Sequence, residues 1–452
     1  MHPWIGAGPE DRRHILEELG LDHVDDLFAT IPAEVCVDRL DMPARQDERS
    51  VRRSLERLAT SNVDMGSGPC FLGAGVYRHL QPSLVEAVLS RAEFFTSYTP
   101  YQPEISQGTL QVIYEFQTLI CQLTGCDVSN ASLYDGATAA VEAVLFAHRV
   151  LRGKKNRVVI AETVHPMYRE VLATYTDAVG IEVVTVPPES DGRVDPDRLG
   201  QAAGDSACCI VIQSPSFVGT IEDLPGIAEA ARQSGALAIQ VVTEAVSFGL
   251  LAGGGDFGFD VVCGEAQSFG VAAGFGGPHL GFFACSEKHV RQMPGRLAGE
   301  SVDENGDRAF CLTLSTREQH IRRAKATSNI CTNQGLMALA ATVWLELMGG
   351  TGFADLARSN LARAHELKRR IADLGDEWRI GYPSSPTFNE FLLTGPTDGR
   401  QLASALAAEG VLAGIPSRLW GGSWPDGLLV AVTETNDRAD LDALVDALGR
   451  VS

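Results

Sequence analysis

Apolar residues recur along this chain at more than one period, and the changes of period divide it. Between residues 10 and 19 they follow a short amphipathic helix that Gly20 would close. A second helix, capped by Asp22, is predicted to end before Pro32. This first stretch, 1–64, holds too few apolar positions for a core of its own. It reads as a helical arm that packs on the main domain or on a partner. From about residue 65 helix and strand alternate. Helical spacing covers 106–123, closed by Gly125, and 137–151. Short, β-branched, nearly continuous apolar runs follow at 157–161, 181–186, 207–212, 236–242, 260–263 and 280–284, with helices at 166–175 and 225–233 among them. Such runs read as strands buried on both faces of a mostly parallel sheet, with helices as the crossovers. Beyond Gly349 and Gly350 the texture changes again. A long helix at 353–374 is followed by a strand at 387–393, a helix at 399–408, a strand at 428–432 and a last helix at 438–448. The predicted organisation is an arm (1–64), a large α/β domain (65–345) and a small C-terminal α+β domain (346–452).

Charge and composition narrow the function classes. A formal net charge of −21 disfavours nucleic acid and anionic membranes, which need a basic surface. No apolar run reaches about 18 residues, so no membrane span is expected. The opening Met1-His2-Pro3-Trp4-Ile5-Gly6 lacks the basic segment and apolar stretch of a secretory signal, and a cytoplasmic protein is expected. The ten cysteines include no C-x-x-C pair. They read as small buried hydrophobes in a reducing compartment, and no metal site is expected. No G-x-G-x-x-G follows an early strand, which disfavours a dinucleotide-binding dehydrogenase.

Three segments carry candidate chemistry. In Tyr98-Thr99-Pro100-Tyr101-Gln102-Pro103-Glu104 two prolines pin the backbone. Tyr98, Tyr101 and Glu104 therefore ride on a rigid loop, with Ser106 placed to cap the next helix. The loop suits a binding site, and equally its tyrosines can seal the core. In Ser132-Leu133-Tyr134-Asp135-Gly136-Ala137-Thr138 small residues lead into an Ala-rich helix, whose free N–H groups can hold a phosphate. Plain capping by Asp135 or Ser132 is the simpler alternative. The third segment pairs Glu244 with Gln267. The layout resembles pyridoxal-phosphate enzymes of the aspartate aminotransferase type. There an acid at a strand end pairs with the pyridinium, and a lysine about two dozen residues later forms the imine. Here the spacing is present and Gln267 holds the lysine's place; an amide cannot form the imine. Of the five lysines (Lys154, Lys155, Lys288, Lys325 and Lys368), only Lys325 has unusual surroundings. It lies beside Arg322 and Arg323 and reads most simply as part of a positive patch.

Taken in order, these stretches resemble the P-protein of the glycine cleavage system (glycine dehydrogenase, decarboxylating), and within it the alpha chain. The likeness also rests on His2-Pro3-Trp4-Ile5, Val164-His165-Pro166, Gln213-Ser214-Pro215-Ser216-Phe217-Val218-Gly219 and Phe275-Gly276-Gly277-Pro278. Thr316-Arg317-Glu318-Gln319-His320-Ile321-Arg322-Arg323 and Ser328-Asn329-Ile330-Cys331-Thr332 fit too. The resemblance implies a fold-type-I, PLP-dependent transferase architecture. It implies a beta partner that holds pyridoxal 5'-phosphate covalently, in an α2β2 heterotetramer with the active site near the α/β interface. Glycine would lose CO2 there, and the remaining aminomethyl group would pass to the lipoyl arm of the H-protein. Gln267 fits the alpha member. Asp135, Gly136, Thr138, His165 and Glu244 would mark a vestigial cofactor pocket, with Glu244 where the family usually has aspartate. Tyr98, Tyr101 and Glu104 would stand at the mouth of the partner's site. Two rivals remain at this level: an active enzyme of the same fold using Lys325, and a scaffold that only stabilises its partner.

Overall fold

The computed structural model describes residues 6–37 and 40–451 and divides the chain into two compact units that meet between Val63 and Asp64. The His2-Pro3-Trp4-Ile5 stretch lies outside the described residues. In the first unit the helix Pro9–Leu19 forms as its spacing predicts, and Gly20 closes it. The element predicted after Asp22 is only a 3-10 turn, Val24–Phe28, with His23 at its N-cap. Its five residues are too few to nucleate a stable α-helix without a packed face. A further helix, Glu48–Ala59, is capped by Asp47, which accepts from the Ser50 amide at 3.0 Å. Among the described residues, none before residue 70 is buried.

The second unit is built on a seven-stranded sheet. Its strands are β1 (Val128–Ser129), β2 (Arg157–Ala161), β3 (Glu182–Val186), β4 (Ala207–Gln213), β5 (Leu237–Val242), β6 (Val261–Glu265) and β7 (Gly281–Cys285). The order is β1-β7-β6-β5-β4-β2-β3, parallel from β6 to β3 and antiparallel where β7 meets β6 and β1. The helices Pro166–Val179, Pro196–Ala203 and Leu224–Ser234 lie between consecutive parallel strands. Strands β4, β5, β6 and β7 are buried along their whole length, as continuous apolar runs require. Strand β3 departs from that expectation. It is the edge, with one neighbour, and only Val186 is buried. A hairpin of β8 (Leu297–Val302) and β9 (Arg308–Thr313), unpredicted because its outer half is polar, packs on helix Gln107–Thr124.

The helix predicted to begin after Gly350 starts earlier and runs Gly335–Ala372, interrupted at Gly349, whose φ of 56° and ψ of 174° are not helical. Its first part buries Ala338, Ala341, Trp344 and Leu345 in the core around the large sheet, with Trp344 stacked on Phe269 at 5.5 Å. Its last part buries Ala364, Leu367 and Ile371 in a second core. That core lines the sheet of β10 (Arg379–Ile380), β11 (Glu390–Thr394), β12 (Ile415–Pro416) and β13 (Leu428–Ala431), ordered β10-β11-β13-β12. This helix is long and apolar enough to cross a membrane, but half of its most apolar window is already buried within the protein. It is the rod that joins two cores.

Candidate functional site

The C-terminal ends of parallel strands are where side chains converge on a ligand in open α/β sheets, and here Glu244 follows β5 and Gln267 follows β6. Glu244 is 2% exposed. Its Oε1 accepts from the Val246 amide at 3.0 Å, capping the turn Ala245–Gly249. Its Oε2 lies 3.1 Å from His79 Nε2 and 3.3 Å from Asn389 Nδ2. The other ring nitrogen of His79 is 2.9 Å from Glu434 Oε2. Burial opposes charge on this imidazole, but the two carboxylates outweigh it and hold the pKa at about 10. His79 is therefore an imidazolium at neutral pH.

Gln267 is likewise fully engaged. Its Nε2 donates to the carbonyls of Tyr77 at 3.1 Å and Val271 at 2.6 Å, and its Oε1 accepts from the Tyr77 amide at 3.1 Å. Glu265, two residues earlier, accepts from the amides of Gln267 at 3.0 Å, Leu280 at 2.8 Å and Gly136 at 3.0 Å. Asp135 accepts from the Thr138 amide at 2.6 Å. The capping reading of this helix start is the one the structure adopts for Asp135. Ser132 instead accepts from Asn333 and the Gln334 amide. His165 donates through Nε2 to the Ala74 carbonyl at 2.8 Å, and burial pushes its pKa down to about 4, leaving a neutral ring. Its ring sits 5.0 Å from both Tyr168 and Phe217. Gly75, at φ 97°, brings the backbone against that ring: a Cβ there would lie 3.1 Å from His165. Tyr77 completes the cluster by donating to Glu390 at 2.8 Å. Burial raises the Glu390 pKa to about 7.

The structure thus brings Asp135, Gly136, Thr138, His165, Glu244 and Gln267 into one region and fills it with the chain's own segment 70–80. That segment fails the test for a pyridoxal-phosphate site at each end. No amine stands at Gln267. The amide of Gly136, which could receive a phosphate, already donates to Glu265, and Tyr168 Oη would lie 2.1 Å from a Cβ on Gly136. A phosphate there would meet the Glu265 carboxylate on the Gly136 amide and the Asp135 carboxylate on the Thr138 amide. Among the described residues no group of three or more His, Cys, Asp or Glu side chains is arranged to hold a metal ion.

Tyr98, Tyr101 and Glu104 form a separate, exposed region; Tyr98 is 75% exposed and Tyr101 53%. Tyr101 is tied inward. Arg296, 3% exposed, donates to the Tyr101 phenol at 3.1 Å and to Thr99 Oγ1 at 3.1 Å, and pairs with Glu318 at 3.2 Å. Its guanidinium also lies 5.3 Å from the Tyr101 ring centroid, and His320 meets that ring edge-on. Tyr98 lines a cleft of about 300 Å³ with Phe94, Phe95, Ile113 and Leu339. The predicted cap at Ser106 makes no side-chain bond. Gln107 does the work there, bonding Pro103 and both backbone groups of Phe310. Lys325 is exposed on the turn Arg323–Lys325.

The family model of the glycine cleavage system P-protein matches residues 2–448. The chain belongs to the P-protein family. It is 50% identical, over 99% of both chains, to a protein of Xanthobacter autotrophicus named probable glycine dehydrogenase (decarboxylating) subunit 1. The crystal structure of a glycine decarboxylase (P-protein) in inhibitor-bound form superposes with a TM-score of 0.89 at 41% identity, over 99% of this chain and 100% of that one. The Burkholderia pseudomallei sphingosine-1-phosphate lyase, at 14% identity and a TM-score of 0.63, covers 94% of this chain and 93% of its own and shares the fold alone. The P-protein fold is that of pyridoxal-phosphate-dependent transferases, as the layout of the sequence predicts.

Sequence reasoning about this P-protein chain missed His79, Tyr77, Glu390 and Glu434. His79 stands 165 positions from Glu244 and 355 from Glu434. No motif links them. The one available signal was a histidine in the Gly-rich stretch Gly73-Ala74-Gly75-Val76-Tyr77-Arg78-His79 before the first large-domain helix.

Proposed function

We propose that this chain is the subunit of glycine dehydrogenase (decarboxylating) that carries no cofactor of its own. A partner of the same family, holding pyridoxal phosphate covalently, would assemble with it as an α2β2 heterotetramer in the cytoplasm. The pair would release CO2 from glycine and pass the aminomethyl group to the lipoyl arm of the H-protein. The observation that carries the reading is the amide of Gln267, which stands where an amine must be and is spent on the backbone of Tyr77 and Val271. The cofactor's service as an electron sink belongs to the partner's site.

What this chain adds is positioning. We place Tyr98, Tyr101 and Glu104 at the mouth of the partner's site, where the exposed phenol of Tyr98 and the carboxylate of Glu104 can hydrogen-bond glycine or the lipoyl arm. Arg296 and Glu318 fix the loop through Tyr101 and Thr99. Reconstitution with a partner chain tests the reading through exchange of bicarbonate into glycine, with and without this chain. Activity must require both. Tyr98→Phe in the assembled complex should lower turnover, and unchanged turnover with intact assembly leaves the chain a scaffold only.

A further inference from the structure

In open α/β sheets the carboxyl ends of the strands are a place for a ligand; in this chain they are crossed by segment 70–80, which is bound to both cores. On one side, Tyr77 is held by Gln267 through both backbone groups, Trp344 Nε1 reaches the Leu80 carbonyl at 3.5 Å, and His79 pairs with Glu244. On the other, the Phe71 amide donates to Leu412 at 2.7 Å and its carbonyl accepts from Ala431 at 3.0 Å. Glu390 takes the Ala74 amide at 2.6 Å and the Tyr77 hydroxyl, and Glu434 takes the Leu80 amide at 2.6 Å together with His79. The groups facing the imidazole are thus Glu244 after β5 and Glu434 after β13, with Asn389 sharing Glu244 Oε2.

We propose that segment 70–80 is a built-in replacement for the cofactor, with the cation of His79 neutralising Glu244 as a pyridinium ring would, so that the cleft is a permanent internal joint between the two cores and not a binding site. Three separate contacts lead to it. The acid that would bind a pyridinium is already neutralised by a buried cation. The helix start that would bind a phosphate already receives a carboxylate. The position that would supply the imine is an amide clamped on the segment itself. Each replacement comes from within the chain, and each satisfies a polar group that burial would otherwise leave unpaired. The inference rests on the functional reading above only for the identity of the cleft.

Two measurements on the full chain, purified with any partner it requires, test this. In the first, Gln267→Lys restores the missing amine. The protein is incubated with pyridoxal phosphate, reduced with borohydride, and weighed chain by chain. No cofactor mass on the restored lysine is the result expected, because segment 70–80 still fills the cleft. A stoichiometric adduct there overturns the joint while leaving the functional reading intact, whereas an adduct on the unaltered chain overturns the functional reading. The second measurement reads the unaltered protein, with His79→Gln used only to assign the signal. Nitrogen NMR of histidine-labelled protein should show one ring, absent from His79→Gln, with both nitrogens protonated and unchanged from about pH 6 to pH 9, across the ordinary histidine range. A ring that loses its proton near the ordinary histidine value overturns the proposal.

Discussion

A histidine enclosed by two carboxylates contributes to stability through its proton, and the direction can be worked out. The pKa of His79 is raised in the folded state, so its contribution is complete below the unfolded value of about 6.5 and is lost as pH rises through about 10. Removing one partner leaves a buried ion poorly compensated. Glu244→Gln is expected to cost about 3–5 kcal/mol in urea unfolding. Glu222 acts in the same sense, in a lower pH window. Burial raises its pKa to about 8 although the Val194 amide donates to it at 3.0 Å, so the native state binds more protons than the unfolded chain between about pH 4.5 and 8. Native stability therefore falls across that window, and Glu222→Gln should flatten the decline in melting temperature between about pH 5 and 8. The two tyrosines of the exposed loop separate cleanly. Tyr101→Phe removes an acceptor from buried Arg296 and should destabilise by about 1–3 kcal/mol. Tyr98→Phe should stay within about 0.5 kcal/mol by the same denaturation measurement. At this scale the absent lysine was legible, because no environment turns an amide into an amine. His79 was not, because nothing local distinguishes a buried cation from a surface histidine.

The strands and helices of the large sheet are legible because each is a local pattern. β2 was bounded to the residue, and helix Gly399–Ala408 likewise. The failures have local reasons too. Hairpin β8–β9 alternates poorly, and helix Gly335–Ala372 starts without a side-chain cap. Its break is set by one residue. At φ 56° and ψ 174° Gly349 occupies backbone space that L side chains avoid, with no atom within 4 Å of a Cβ placed there. Gly349→Ala should therefore cost about 1–3 kcal/mol from backbone strain alone, read as a shifted urea midpoint with unchanged slope. The prediction of a strand buried on both faces failed at β3, because edge position is decided by strand order and not by the strand.

The buried residues of the molecule all lie at or beyond Cys70 among those described, while Ile15, Leu27, Phe28, Val35, Leu55 and Leu58 of the first unit are exposed. An element with apolar side chains and no core of its own contributes little to the fold of the rest. Deleting residues 1–63 should leave the melting temperature of the remainder within a few degrees and abolish co-purification with the partner chain, a result read by calorimetry and size-exclusion chromatography. Loss of the main transition would show that the arm is part of the fold. By itself the sequence determined the periodicities, hence the alternation of strand and helix, and the one chemical absence at Gln267. Both follow from properties a residue carries wherever it sits. Tertiary structure decided the pairing of His79 with Glu244 and Glu434, the closing of the phosphate end by Glu265, and the inward tie of Tyr101. Those depend on which distant segments the folded chain brings within hydrogen-bonding distance, a range of about 3 Å.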